Sequence, residues 1–308
     1  MRLQLRSLVA AVALLFAASP FARAVDLLFV TLTNNTIVKF DTTGNDGATI
    51  QATQATFAST NLNSPQGLAF DSSGNLYAAN NTGNTISKFD SAGLFKSSIS
   101  SNLSGPRGLA FDSSGNLYAT NITGNTISKF NSSGNFDSNI TSNLSGPTGL
   151  TFDSSGNFYA ANYSNNTISK FNSSGNFDSN ITSNLNNPMG LAFDSSGYLY
   201  AANNTSSTIS KFDSAGIFVS SFSSISAYPR GLAFDSLGNL YVSHSGSNNT
   251  ISKFDPSGNF LTSWSMTSTP RYIAFQPVSV PEPSTYALAA IATGVMAAVA
   301  RRRKARKA

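Results

Sequence analysis

A proline recurs every 41 residues in this chain, at Pro65, Pro106, Pro147, Pro188, Pro229 and Pro270. The text between successive prolines is nearly the same each time. A representative unit is "PRGLAFDSSGNLYATNITGNTISKFNSSGNFDSNITSNLSG", Pro106 to Gly146, and its segment Asn131–Leu144 recurs unchanged at Asn172–Leu185. A unit this short cannot bury its apolar residues alone. In tandem, each copy must cover the next.

Four short strands can be read in the unit. The first is Gly108-Leu109-Ala110-Phe111, and "DSSGN" then makes a tight hairpin. Asp112 can bond its own backbone there, and Gly115 can take the left-handed conformation that other residues avoid. Leu117–Thr120, Thr126–Phe130 and Phe136–Thr141 follow as the second, third and outer strands. Leu109 and Phe111 project to one side of the inner strand, Gly108 and Ala110 to the other. The large side of one unit can then press on the small side of its neighbour. Ile127 and Phe130, three apart, cannot share one face of a regular strand. No helical periodicity competes in the body.

Four strands in about 40 residues is a propeller blade. The expected fold is therefore all-β, a six-bladed propeller. Five complete units run from Pro65 to Thr269, and Pro270 opens a sixth with one strand, "RYIAF". "LLFVTLTNNTIVKFDTTGN", Leu27 to Asn45, supplies the missing strands, so a composite blade closes the ring. Closure is expected to leave no sheet edge open. Gly44 to Pro65 spans 21 positions against 13 from Gly93 to Pro106, so eight extra residues are expected to bulge around "NDGATIQATQAT".

The recurring P-x-G-L-A-F-D-x-x-G-N-L-Y-A-x-N…I-x-K-F resembles the NHL repeat over nearly the whole body. The resemblance implies a six-bladed propeller. It says less about activity, because this scaffold hosts ligand-binding, protein-binding and enzymatic members.

The net charge of +5 is unevenly spread. Three cations lie in the first 24 residues and six after residue 300, leaving ten against 13 aspartates in the body. The body is mildly acidic and has no basic stripe with interleaved aromatics, which excludes nucleic acid as a partner. The chain has no cysteine, so thiol chemistry and thiolate metal sites are excluded.

The body holds one histidine, His244, and no glutamate. Hydrolytic and lyase sites usually need a tuned base or a metal, and lyases on NHL-like propellers rely, by resemblance, on histidine-rich metal centres. No catalytic residue, metal or cofactor is expected. The "DSSGN" and "DSAG" turns offer one Asp each, with Gly at the wrong offset for a calcium loop. N-x-[ST] triplets such as Asn80-Asn81-Thr82 are what a chain rich in Asn, Ser and Thr yields by chance.

One constellation qualifies as a candidate ligand site. The residue after the repeat's proline opens the inner strand near the channel, and around the ring it is Gln66, Arg107, Thr148, Met189, Arg230 and Arg271. The end of the second strand faces the same side with Asn80, Asn121, Asn162, Asn203 and His244, while Leu32 breaks the circle. Three arginines beside a circle of amides can hold an acidic sugar or another anion through forked hydrogen bonds. The competing reading is that the arginines are solvated and the amides cap loops. The rival function is a lyase or lactonase-like propeller enzyme with a channel metal, using channel carbonyls, Asn and His244.

The ends carry addresses. Residues 1–24 read as a signal peptide: Arg2 and Arg6, the apolar Leu8–Ala18, Ser19-Pro20, then Ala22-Arg23-Ala24 for cleavage by signal peptidase before Val25. The propeller is expected over 25–277. Residues 278–308 hold Pro281-Glu282-Pro283, an Ala-dominated apolar run Tyr286–Ala300 and the cluster Arg301–Lys307. Fifteen apolar residues are marginal for spanning a bilayer, and the basic cluster should stay cytoplasmic. This tail resembles a PEP-CTERM sorting signal. The resemblance implies a Gram-negative-type envelope and processing by an exosortase near the Pro-Glu-Pro motif. It also implies a setting of exopolysaccharide and biofilm matrix. The expected product is a surface or matrix module, held to the inner membrane only transiently through the C-terminal helix. It would bind exopolysaccharide or another envelope protein. While the tail is intact, the arginine face is expected to point away from the membrane.

Overall fold

The computed structural model describes residues 26–43, 47–246 and 248–277. The signal segment with Ala22 and Ala24, the tail with Pro281, Glu282 and Pro283, and the helices expected at both ends lie outside the described residues. Asp26–Pro277 form one compact unit.

That unit is an all-β, six-bladed propeller of six four-stranded antiparallel sheets. Blades one to five open at Pro65, Pro106, Pro147, Pro188 and Pro229. The second blade is typical, with strands Pro106–Phe111, Leu117–Asn121, Thr126–Phe130 and Phe136–Ile140. The composite blade combines Pro270–Phe275 with Leu27–Leu32, Ile37–Asp41 and Ala55–Ala58, so both ends of the domain are tied into one sheet. Its first pair is in register from Leu28↔Phe275 to Val30↔Ile273.

The Asp turns set the hairpins. Asp112 Oδ1 accepts the backbone N–H of Ser114 at 2.9 Å and of Asn116 at 2.8 Å, and Gly115 sits at φ 79°. This satisfies the groups that a two-strand reversal would otherwise expose.

The core lies between blades, and every strand of a blade's interior is covered on both faces. Leu109 packs with Ala69, Ala79 and Ile86 of the first blade, while Ala110 packs with Leu150 and Phe158 of the third. Ile127 and Phe130 therefore need not share a face. Phe130 joins the core toward the first blade and Ile127 the core toward the third, and both are fully buried. Gly108 permits the closest approach, since a Cβ there would collide with the Thr148 carbonyl of the next blade. A ring of edge-on aromatic pairs completes the contact: Phe29–Phe70, Tyr77–Phe111, Tyr118–Phe152, Tyr159–Phe193, Tyr200–Phe234 and Tyr241–Phe275, all with centroids 5.0–5.1 Å apart. Each such pair adds about 1 kcal/mol beyond its buried area.

Two expectations are corrected. Closure does not remove the sheet edges. The ring joins blades face to face, so the outer strand of each sheet keeps an open edge. These strands are short and polar, as in Phe136–Ile140 and Phe177–Ile181, and Lys129–Asp137 and Lys170–Asp178 ion pairs at 3.1 and 3.0 Å flank two of them. Charge and short length blunt such edges. The extra segment is not a simple bulge either. It holds a helix, Gly47–Ala52, followed by the strand Ala55–Ala58. Six residues are too few to display a helical period. Packing creates the helix instead: Ile50 is fully buried with Trp264 and Met266, and Gln51 Nε2 donates to the Ser265 carbonyl at 2.9 Å.

Candidate binding site at the channel mouth

Each inner strand starts at its proline and runs to its Phe, so the residue after the proline marks one end of the channel. Arg107, Arg230 and Arg271 are half-buried there, whereas Gln66, Thr148 and Met189 are buried. The three guanidinium groups share one electrostatic neighbourhood. Burial lowers the pKa of Arg230, and Arg107 adds to this; burial lowers that of Arg271, with Arg230 and Arg107 adding to it. Among the described residues, every salt bridge is made by a lysine, and no carboxylate neutralises this cluster. The partners are neutral: Arg271 Nη1 donates to Ser64 Oγ at 2.9 Å and Arg230 Nε to Ser245 Oγ at 2.8 Å. Arg107 Nε and Arg271 Nε are buried with no partner.

At the centre stands Tyr272, which the sequence reasoning missed. It occupies the place where the full units have Gly67, Gly108, Gly149, Gly190 and Gly231. With Gly67, Gly108, Gly149 and Gly190 it lines a channel cavity of only about 90 Å³, so the site is a mouth and not a tunnel. Its hydroxyl is buried without a partner. Burial raises its pKa, and the three arginines oppose the rise. The one bulky residue in a glycine position was the signal that could have revealed it. Gln66, in the first blade's position after the proline, has an unpartnered Oε1, while its Nε2 reaches the Ser64 carbonyl at 3.5 Å.

The asparagines are placed differently. Asn121 is fully buried; its Oδ1 accepts the Ser104 N–H at 3.1 Å, and its Nδ2 donates to Thr126 Oγ1 at 2.9 Å and Ser128 Oγ at 2.8 Å. Asn80, Asn162 and Asn203 make the same clamp, tying the entering loop to the third strand. With both ends of the amide engaged, these four groups serve the blade. His244 takes the fifth position and is fully buried. Neither ring nitrogen meets hydrogen-bond geometry, and burial pushes its pKa down to about 4, with the Ser226 backbone opposing the shift. Among the described residues no group of three His, Cys, Asp or Glu could hold a metal ion.

The model of the virginiamycin B lyase family matches residues 50–275. The chain belongs to that family. Its propeller is of the virginiamycin B lyase and NHL-like type, and the PEP-CTERM protein-sorting motif matches residues 279–304. That motif implies export, sorting to the cell surface and processing by an exosortase. No curated protein matches this family member in sequence. Among solved structures, a chain of a nidogen/laminin complex is similar at TM-score 0.72 and 19% identity, over 82% of this chain and 98% of that one. Selenomethionine-substituted virginiamycin B lyase from Staphylococcus aureus is similar at TM-score 0.62 and 17% identity, over 80% and 84%. A catalytically inactive histidine-to-alanine variant of that enzyme with quinupristin is similar at TM-score 0.59 and 16% identity, over 85% and 87%. At these identities the likeness shows the fold alone. The family includes enzymes, and membership leaves this member's own activity undetermined. No helix among the described residues is long and apolar enough to cross a membrane.

Proposed function

We propose that this family member is an exported, non-enzymatic propeller that holds acidic exopolysaccharide of the envelope or biofilm matrix at the mouth formed by Arg107, Arg230 and Arg271. The observation that carries the reading is a cluster of three half-buried cations with no counter-ion, gathered round the unpartnered Tyr272 hydroxyl. Holding like charges together in a partly desolvated place is costly, and an anion relieves the cost. Guanidinium forks pair bidentately with carboxylates, which suits a uronate. Gln66 borders the mouth, and the asparagine clamps support the loops around it. The strand Pro270–Phe275 starts at the arginine mouth and ends at the opposite face. Signal peptidase and an exosortase are its processing partners in this reading.

The test is titration of the purified protein with polygalacturonate. The variant R107A/R230A/R271A is expected to bind at least tenfold more weakly, and wild-type affinity to fall as salt rises. Unchanged binding by the triple variant refutes the assignment. The family match favours a second reading, a lyase-type enzyme with a channel metal. Metal analysis of the purified protein separates the two, because a stoichiometric, tightly held metal would favour the enzyme.

A further inference from the structure

The face opposite the arginines carries the Asp turns that join each blade's first and second strands, and one of these differs from its sisters. At Asp71, Asp112, Asp153 and Asp235 the carboxylate is fully used: Oδ1 takes two backbone N–H groups, and Oδ2 takes the Nδ2 of the asparagine four residues on at 2.8 Å. At Asp194 that asparagine is replaced by Tyr198. Oδ1 still accepts the N–H of Ser196 and Tyr198 at 2.9 Å, but Oδ2 is left with the Tyr200 hydroxyl at 3.3 Å and Lys211 Nζ at 3.8 Å. A carboxylate oxygen with only long contacts is short of strong donors.

The facing turn of the fifth blade departs as well. Leu237, 57% exposed, stands where the other full units have Ser73, Ser114, Ser155 and Ser196. Pro256 stands where they have Ser91, Ser132, Ser173 and Ser214. All three departures line a single cleft of about 320 Å³ between the fourth and fifth blades. The neighbouring cleft between the third and fourth blades, about 420 Å³, keeps the repeat's Asn157 and Ser214. In units copied almost verbatim, substitutions that converge on one cavity mark a place with its own chemistry.

We propose that this cleft binds one neutral pyranose unit of a glycan. A pyranose has an apolar C–H face and a rim of hydroxyls. Half-buried Tyr198, exposed Leu237 and Pro256 supply an apolar rest for the face. Asp194 Oδ2 accepts from a hydroxyl, and Lys211 Nζ, 4.0 Å from the Tyr198 ring centroid, donates to one. The rest of the lining is polar, with Asp194, Ser195, Ser196, Lys211, Asp235 and Ser236, so the cleft offers partners to the hydroxyl rim as well as a rest for the face. The charges of Asp194 and Lys211 cancel, and Asp235 is paired with Lys253 at 3.9 Å, so no net charge asks for an ionic ligand. The cleft thus complements the cationic mouth: one face holds an acidic segment and the other a neutral one, which lets a single propeller bridge two strands of matrix.

The experiment is saturation-transfer NMR on the purified protein with the methyl pyranosides of glucose, galactose, mannose and N-acetylglucosamine. The variant Y198N/L237S/P256S installs residues that sister units carry at the same places, and a thermal melt matching the wild type verifies its fold. At least one glycoside is expected to bind the wild type and R107A/R230A/R271A alike, and to bind the cleft variant at least tenfold more weakly. The proposal is overturned if no glycoside binds the wild type, or if the folded cleft variant retains full binding. Loss of polygalacturonate binding with the cleft intact would refer to the mouth alone.

Discussion

Replacing His244 by asparagine should stabilise the protein, and increasingly so as the pH falls. In blades one to four the equivalent asparagine closes three hydrogen bonds, as Asn121 does with Ser104, Thr126 and Ser128 at 2.8–3.1 Å. In the fifth blade the groups awaiting it, Thr250 Oγ1 and Ser252 Oγ, are buried without partners. Each buried orphan costs about 1–3 kcal/mol, and each restored bond contributes about 1 kcal/mol. His244 to Thr250 is one residue longer than Asn203 to Thr208, so the clamp will not re-form in full. A gain of about 2 kcal/mol at pH 7.5 follows, raising Tm by about 4–8 °C in a domain of this size. Burial holds the His244 pKa at about 4, below the ordinary 6.5. The unfolded chain therefore takes up a proton that the folded chain refuses. Wild-type stability from this group is fully present above pH 6.5, declines as the pH falls toward 4, and is flat below. The loss totals about 3 kcal/mol at 1.36 kcal/mol per pKa unit. H244N lacks the titrating group, so its advantage should widen to about 5 kcal/mol near pH 4. Urea denaturation followed by circular dichroism at pH 7.5, 5.5 and 4.5 measures this. A variant less stable than the wild type at neutral pH, or a gap that stays constant on acidification, would refute the reasoning.

Gly108→Ala should cost more than about 3 kcal/mol or prevent folding, because the added Cβ meets the Thr148 backbone, which cannot step aside without opening the ring; denaturant melts of the soluble fraction report it. Asn121→Ala should cost about 3 kcal/mol by releasing the Ser104 amide and Thr126 hydroxyl together, and hydrogen exchange at the Ser104 amide should quicken by at least tenfold. Mass spectrometry of the protein from its host should find the C-terminal tail removed when the exosortase is present and retained when it is absent; an intact tail in both strains would end the sorting argument.

Much of the propeller was legible because the unit is repeated. Strand boundaries around Leu117, Thr126 and Phe136, the Asp turns and the composite closing blade all follow from local text compared with itself. The candidate site was legible only in part. The position after each proline located Arg107, Arg230 and Arg271, but which way a side chain turns at the end of a strand depends on what surrounds it. Asn80, Asn121, Asn162 and Asn203 were grouped with the arginines on sequence position, and the structure turns their amides into the blade, where Thr and Ser hydroxyls wait. Tyr272 was overlooked because it reads as one more apolar strand residue until the channel around it is seen.

The sequence by itself determined the repeat, hence blades, their number and the address-like ends, because period and turn chemistry act over a few residues. Tertiary structure alone decided which neighbour covers each face. Ile127 and Phe130 belong to two cores, the segment at Gly47–Ala52 coils because Ile50 finds Trp264, and six outer edges stay open because blades meet by their faces. The physical reason is the same in each case. Alternation along a strand says only that two faces differ, whereas burial is a property of the closed ring.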